Sequence, residues 1–180
     1  ALAIFKEKYS NNFIYSIIGD GIEKERLIYA VKSLGLDGFV EFKGTLKANE
    51  IKEFYIKSNV YLQYSIQEGF CNSVLEAQAM GLLVIASNAE GLEENIIDRQ
   101  TGWIVKKYEP KLLAKKIENI INSDNSKLDL IRRKCTCYIH THTTCGTAPS
   151  LVEMIMCNKP IIICNFYDLR NDIFCFFCKG

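Results

Sequence analysis

The sequence is short of charge of one sign, of long apolar runs and, over most of its length, of cysteine. Twenty-two basic residues face 21 acidic ones, leaving a net charge of only +1. A polyanion-binding surface needs a basic excess, so nucleic acid is excluded as a partner. No apolar run approaches the roughly 20 residues that cross a bilayer, and no signal peptide is visible. Cys71 is alone in residues 1–134, which excludes a disulfide-built domain there and points to a reducing, cytosolic setting. The other seven cysteines (Cys135, Cys137, Cys145, Cys157, Cys164, Cys175 and Cys178) crowd residues 135–180. This shift in composition divides the chain into a domain at 1–134 and a cysteine-rich unit at 135–180. No methionine opens the sequence, and the chain is expected to be a piece of a longer protein.

What is present is enough apolar material, 48% of the residues, for a proper core. FIYSII (13–18) reads as a buried strand stopped by Gly19-Asp20-Gly21. Residues 22–34 follow as a helix lined by Leu27, Val31 and Leu34, with Gly35 at its end. FVEFKG (39–44), NVYLQYS (59–65), LLVIAS (82–87) and GWIV (102–105) read as further strands, with helices at 49–57 and from the low 70s to Gly81. Pro110 opens a last helix, with Leu113, Ile117, Ile120 and Ile121 inward. Strands alternating with helices, several apolar on both faces, predict an α/β domain with a doubly wound, mostly parallel sheet. In such sheets ligands bind beyond the carboxyl ends of the strands. Here those ends carry the Gly-Asp-Gly turn and the stretch from Ser65 to Ser73.

That second stretch contains EGFCNSVLE (68–76), with a glutamate on each side of a strand-to-helix turn. Ser73-Val74-Leu75-Glu76 fits a capping box, which needs no ligand and accounts for Glu76 though not for Glu68. The same turn also suits a diphosphate: a helix N-terminus offers free N–H groups and the positive end of a dipole, and Gly69 permits close approach. Carboxylates flanking it then make sense if they reach past the phosphates to ribose hydroxyls on one side and sugar hydroxyls on the other. A nucleotide sugar has that layout.

The order IIGDG, FKG, EGFCNSVLEAQAMGLLVIAS, AEGLEENI, TGWIV resembles the C-terminal domain of the GT-B glycosyltransferases of group 1, the retaining family four, over nearly all of residues 1–134. The resemblance implies a Rossmann-like domain that binds an NDP-sugar donor of UDP or GDP type, with no cofactor and no metal. Glu68 is then the catalytic-side carboxylate, against the donor sugar. Glu76 binds the ribose, and backbone N–H groups around Gly69, Phe70, Cys71 and Asn72 hold the phosphates. Gly19, Asp20, Gly21 and Ser65 line the donor cleft. Cys71 stands where the family has glycine, and Leu83 where it has proline. In the full-length protein the resemblance implies a retaining hexosyltransferase of polysaccharide biosynthesis. A missing N-terminal domain would bring the glycan or lipid-linked acceptor, at the cytoplasmic face of the membrane, and the piece alone is expected to be inactive. A non-catalytic nucleotide-sugar-binding or metal-stapled module is the alternative.

In the second unit, CGTAPSLVEMIMCNKPIIICN (145–165) aligns with EGFCNSVLEAQAMGLLVIASN (68–88) at a constant offset of 77, pairing Gly69 with Gly146, Ser73 with Ser150 and Glu76 with Glu153. It reads as a partial β-loop-α-β repeat, similar to the same unit of a rhamnosyltransferase-like relative, with CYIHTHT (137–143) as its first strand. Cys135, Cys137, His140, His142, Cys145, Cys175 and Cys178 could supply metal ligands, but their spacing is not that of a zinc finger, and the repeat already explains the segment.

Overall fold

Runs of β-branched and aromatic residues bounded by glycine and polar turns become strands, because such side chains fit a pleated surface covered on both faces. The computed structural model describes residues 1–123 and, beyond them, the backbone of three short strands. The first five strands are β1 (Phe13–Ile18), β2 (Val40–Gly44), β3 (Val60–Gln63), β4 (Leu83–Ser87) and β5 (Trp103–Val105). Between and around them lie α1 (Leu2–Lys8), α2 (Lys24–Ser33), α3 (Ala48–Lys57), α4 (Asn72–Ala79), the single-turn α5 (Leu92–Asn95) and α6 (Pro110–Ile121). The three further strands are β6 (Tyr138–Ile139), β7 (Ile161–Ile162) and β8 (Ile173–Cys178).

The main sheet runs β2-β1-β8-β3-β4-β5. β1 pairs parallel with β2, and β3 with β4 and β4 with β5 likewise. β8 lies antiparallel between β1 and β3, pairing Phe13 with Cys178 and Ile18 with Ile173 on one side, and Tyr61 with Cys175 on the other. β1 to β5 therefore all point one way. The chain winds outward from β1 to β2, crosses to β3 and winds outward again to β5. The expected doubly wound, mostly parallel α/β sheet is found, with its switch point between β1 and β3.

Alternation along β4 builds both layers of the core. Leu83 and Ile85 join Phe5, Phe13, Leu62, Val105 and Ile117 on the face covered by α1 and α6. Val84 and Ala86 join Tyr55, Tyr61, Val74, Leu92 and Ile96 on the face covered by α3, α4 and α5. Pro110 takes the first turn of α6, and Leu113, Ile117 and Ile120 are buried as expected, with Ile121 packed beside them. The expected inner face of α2 is different. This helix buries no residue, and Leu27 and Leu34 are exposed. Only Val31 of the expected stripe packs against the core, and β2, which follows α2, is an edge strand with no fully buried residue.

In the second unit the helix of the repeat and the metal-ligand candidates Cys135, Cys137, His140, His142 and Cys145 lie outside the described residues. Its strands carry one finding. β6 and β7 pair Tyr138 with Ile161 and Ile139 with Ile162, which is the Tyr61–Val84 and Leu62–Ile85 register of β3 and β4 displaced by the same 77 positions. The two-residue pairing of β6 with β7 thus shares the register of β3 with β4.

Candidate functional site

The carboxyl ends of β1 and β3 flank the switch point, two strand spacings or about 10 Å apart. On the β1 side, the Gly19 N–H donates to the Gly44 carbonyl (2.9 Å), tying the Gly-Asp-Gly turn to the end of β2. Asp20 accepts from the Gly21 N–H (2.9 Å) and from the Lys24 ammonium (3.0 Å). The Lys24 bond, then the Gly21 N–H, hold the Asp20 carboxyl below its ordinary value. The small stabilisation from this exposed pair is present above the ordinary carboxylate range and lost as pH falls. Gly19, Asp20 and Gly21 line a small cavity of about 40 Å³ with Ile17, Lys24, Leu27 and Phe42.

On the β3 side, Glu68 is half-buried, and one of its oxygens is held twice. Oε2 accepts from the Ser65 hydroxyl (2.8 Å) and from the Gln63 amide (3.3 Å). The Ser87 hydroxyl donates to the Ser65 carbonyl and so links the loop to the end of β4. A wider open depression of about 540 Å³, lined by Ile66, Gln67, Asn88, Glu90 and Lys107, lies next to this loop rather than between the two glutamates. The Lys107 ammonium donates to the Ile66 carbonyl (2.9 Å) and helps fix the loop there.

α4 begins one turn beyond Glu68; the Val74 N–H donates to the Cys71 carbonyl (3.2 Å), and the N–H groups of Asn72 and Ser73 ahead of it have no intrahelical acceptor. The capping box expected from Ser73 and Glu76 is not formed. The N-cap is Cys71, without a side-chain cap, and Ser73 sits inside the first turn. Its hydroxyl is drawn inward to the Tyr61 hydroxyl (2.9 Å) and the Cys71 sulfur (3.1 Å), so it is not available to the helix end. α3 shows what a carboxylate cap looks like in this fold, with Glu50 accepting from the Lys47 N–H at 2.8 Å. Glu76, released from that role, is half-buried and meets the Tyr55 hydroxyl at 3.4 Å.

Of the N–H groups expected to hold phosphates, that of Cys71 is already taken by Asn95 Oδ1 at 3.0 Å. Asn95 is buried, and its Nδ2 has no partner among the described residues. The backbone of α5 presses on the loop through Gly91: a Cβ there would lie 2.3 Å from the Gly69 carbonyl oxygen, and φ is +85°. Gly69 itself has open space beside it.

Burial pushes the Cys71 thiol up, against smaller downward contributions from its hydrogen bonds. Any stability linked to this group is present below the ordinary thiol value and lost as pH rises past it. Cys71 is expected to resist iodoacetamide at pH 8 in the folded chain and to react at least roughly tenfold faster in urea, because only the thiolate attacks. Mass spectrometry of the Cys71 peptide checks this.

Sequence reasoning missed Gln63, Tyr61, Asn95 and Gly91. The available signal for the first was a glutamine inside an otherwise apolar strand, Val60-Tyr61-Leu62-Gln63.

A mostly parallel sheet with helices on both faces and a loop-to-helix turn at its switch point defines a Rossmann-like α/β domain. The profile described as Glycosyl transferases group 1 matches residues 1–134. The chain belongs to this family and carries the C-terminal domain of its GT-B architecture. It is 39% identical over 72 residues to the capsular polysaccharide biosynthesis glycosyltransferase CapM of Staphylococcus aureus, covering 40% of this chain and 19% of that protein. It is 29% identical over 146 residues to the Campylobacter jejuni GalNAc-alpha-(1->4)-GalNAc-alpha-(1->3)-diNAcBac-PP-undecaprenol alpha-1,4-N-acetyl-D-galactosaminyltransferase, covering 79% of this chain and 40% of that one. Among solved structures, Anabaena Alr3699/HepE in complex with UDP superposes with a TM-score of 0.60 at 26% identity, over 66% of this chain and 33% of that one. The C-terminal domain of the group 1 protein LpcC from Francisella tularensis does so at 0.54 and 32%, over 62% and 57%. The chain spans less than half the length of the two curated relatives named here. No helix among the described residues is long and apolar enough to cross a membrane.

Proposed function

We propose that residues 1–134 are the donor-binding domain of a retaining glycosyltransferase that moves a hexose-type sugar from an NDP-sugar to a glycan or lipid-linked acceptor in polysaccharide biosynthesis. One observation carries the reading: the N-terminus of α4 stands at the end of β3 beside the switch point, with Glu68 before it and Glu76 in its second turn. Neither carboxylate is used as a helix cap. In this reading the diphosphate meets the α4 N-terminus past Gly69, where there is room. The N–H group of Asn72 replaces that of Cys71 as its donor, since Asn95 holds the latter and the Ser73 N–H faces the Cys71 sulfur. Glu76 accepts from ribose hydroxyls. Glu68 offers its carboxylate to the sugar as the residue nearest the chemistry, with Phe70 beside it. Gly19, Asp20, Gly21 and Ser65 border the cleft. The acceptor, and any peripheral association with the cytoplasmic face of a membrane, belong to a further domain of the full-length protein.

The relatives bearing glycosyltransferase names and the UDP complex of HepE support this reading. Titrating UDP, GDP, ADP and dTDP against the chain by calorimetry tests it. One nucleotide is expected to bind, with a loss of at least roughly tenfold in affinity in Glu76→Ala, the scale of one or two hydrogen bonds to a charged acceptor. Equal binding by parent and variant would remove Glu76 from the ribose. No heat with any nucleotide, from a chain shown to be folded, would overturn the donor-domain reading for the chain.

A further inference from the structure

Beneath Glu68 lies a chain of buried polar groups that the proposed chemistry does not use. Tyr61, Gln63, Cys71 and Ser73 are all at least nine-tenths buried. Five hydrogen bonds join them to the site: Cys71 sulfur to Ser73 oxygen at 3.1 Å, Ser73 oxygen to Tyr61 oxygen at 2.9 Å, Tyr61 oxygen to Gln63 Oε1 at 2.7 Å, and Gln63 Nε2 to both Ser65 and Glu68.

Counting protons gives this chain a direction. A carbonyl oxygen only accepts, so the single Tyr61 proton goes to Gln63 Oε1. The Ser73 hydroxyl must then donate to Tyr61, and the Cys71 thiol must donate to Ser73. At the other end, an ionised Glu68 only accepts, so the Ser65 proton goes to it. Ser65 must therefore accept from Gln63 (2.9 Å), and the group turned toward the site has to be Nε2. Each donor points toward the carboxylate, and no member can be reversed without leaving a buried group unpaired, which costs about 1–3 kcal/mol. Both bonds to Glu68 fall on Oε2, and no hydrogen bond from the described residues reaches Oε1.

We propose that Gln63 is a positioning residue for the donor sugar: through it, the buried Cys71–Ser73–Tyr61 chain fixes Glu68 so that Oε1 is presented to a sugar hydroxyl. The proposal rests on the nucleotide-sugar reading and adds to it. The chain begins at the N-cap of α4 and ends on Glu68, so the phosphate and sugar ends of the site move as one unit. It also gives Cys71 a use at a position where the family resemblance leads one to expect glycine, since glycine has no side chain to start the relay.

The test compares UDP with UDP-glucose as probes, by calorimetry on the whole chain. The parent is expected to bind UDP-glucose more tightly than UDP. Gln63→Leu, which keeps the volume and suits an apolar strand, should leave UDP affinity within about twofold and remove most of the preference for UDP-glucose. Tyr61→Phe, which removes only the hydroxyl, should lower that preference by a smaller factor and serves if Gln63→Leu does not fold. In a Glu68→Ala background neither change should lower it further, a coupling that a purely structural role would not produce. An unchanged UDP-glucose to UDP ratio in both folded variants would overturn the positioning role alone. A parent that binds neither UDP nor UDP-glucose would overturn this proposal, and one that also binds none of GDP, ADP and dTDP would overturn the donor-domain reading with it.

Discussion

Gly91→Ala is expected to destabilise the chain by about 3–5 kcal/mol and to abolish nucleotide binding in the fraction that folds. Two effects combine. The residue has φ +85°, where a side chain is strained by roughly 1–2 kcal/mol. The new Cβ would also sit 2.3 Å from the Gly69 oxygen, 2.6 Å from the Gly69 carbonyl carbon and 2.7 Å from the Glu68 oxygen. These are backbone atoms, so no side chain can swing aside. Either α5 lifts from the sheet, exposing Leu92, or the Glu68–Phe70 loop is driven from the start of α4. Gly69→Ala is the control, since its Cβ would enter open space. It should unfold in urea close to the parent while weakening UDP binding, because it fills the proposed phosphate approach. Chemical denaturation and calorimetry on the two variants separate the outcomes. Parent-like stability and binding in Gly91→Ala would mean that the loop is not held as described.

Ile85→Ala is expected to cost about 3–4 kcal/mol, within the range for deleting a buried aliphatic side chain from a core that relaxes only partly. Ile85 is fully buried at the centre of β4, between Leu62 on β3 and Trp103 on β5. It belongs to the layer that also holds Val105, Leu113 and Ile117, so the cavity would open beneath α6. The urea midpoint should fall with the slope unchanged, since the surface exposed on unfolding barely alters. Ile22→Ala makes the same deletion at a residue 99% exposed and should shift stability by less than about 0.5 kcal/mol. A similar, small effect at both positions would show that β4 is not the centre of the core.

Much of the fold was legible in the sequence because β1, β3 and β4 are apolar runs ended by glycine or polar turns, and α6 has both a proline start and a clean apolar stripe. The loops of the candidate site were legible for the same reason: they are where those runs stop. What was not legible depends on contacts distant in sequence. Ser73 and Glu76 match a capping box locally, but the Ser73 hydroxyl is claimed by Tyr61, 12 positions earlier on β3. α2 has an apolar stripe, yet only tertiary position shows that Val31 alone of it packs on the core while Leu27 and Leu34 stay exposed. Asn95 lies in a single-turn helix, too short for any period to register, and its role comes from the Cys71 N–H, 24 positions away. The antiparallel insertion of β8 between β1 and β3 had no local sign, since a short aromatic run does not name its neighbours.

That insertion bears on how the chain folds. β2 with β1, and β3 with β4 and β5, are two parallel blocks whose only described strand pairing to each other runs through β8. The strand in the middle of the sheet is the last of the described strands in sequence, and its Phe13–Cys178 pairing joins residues 178 − 13 = 165 positions apart. Loop-closure entropy grows slowly with length, so the equilibrium penalty is modest, but contacts of such high order slow folding. During synthesis the two blocks can form in turn, yet the sheet stays split until residues 173–178 have left the ribosome. Until then the facing edges of β1 and β3 are open templates for another strand.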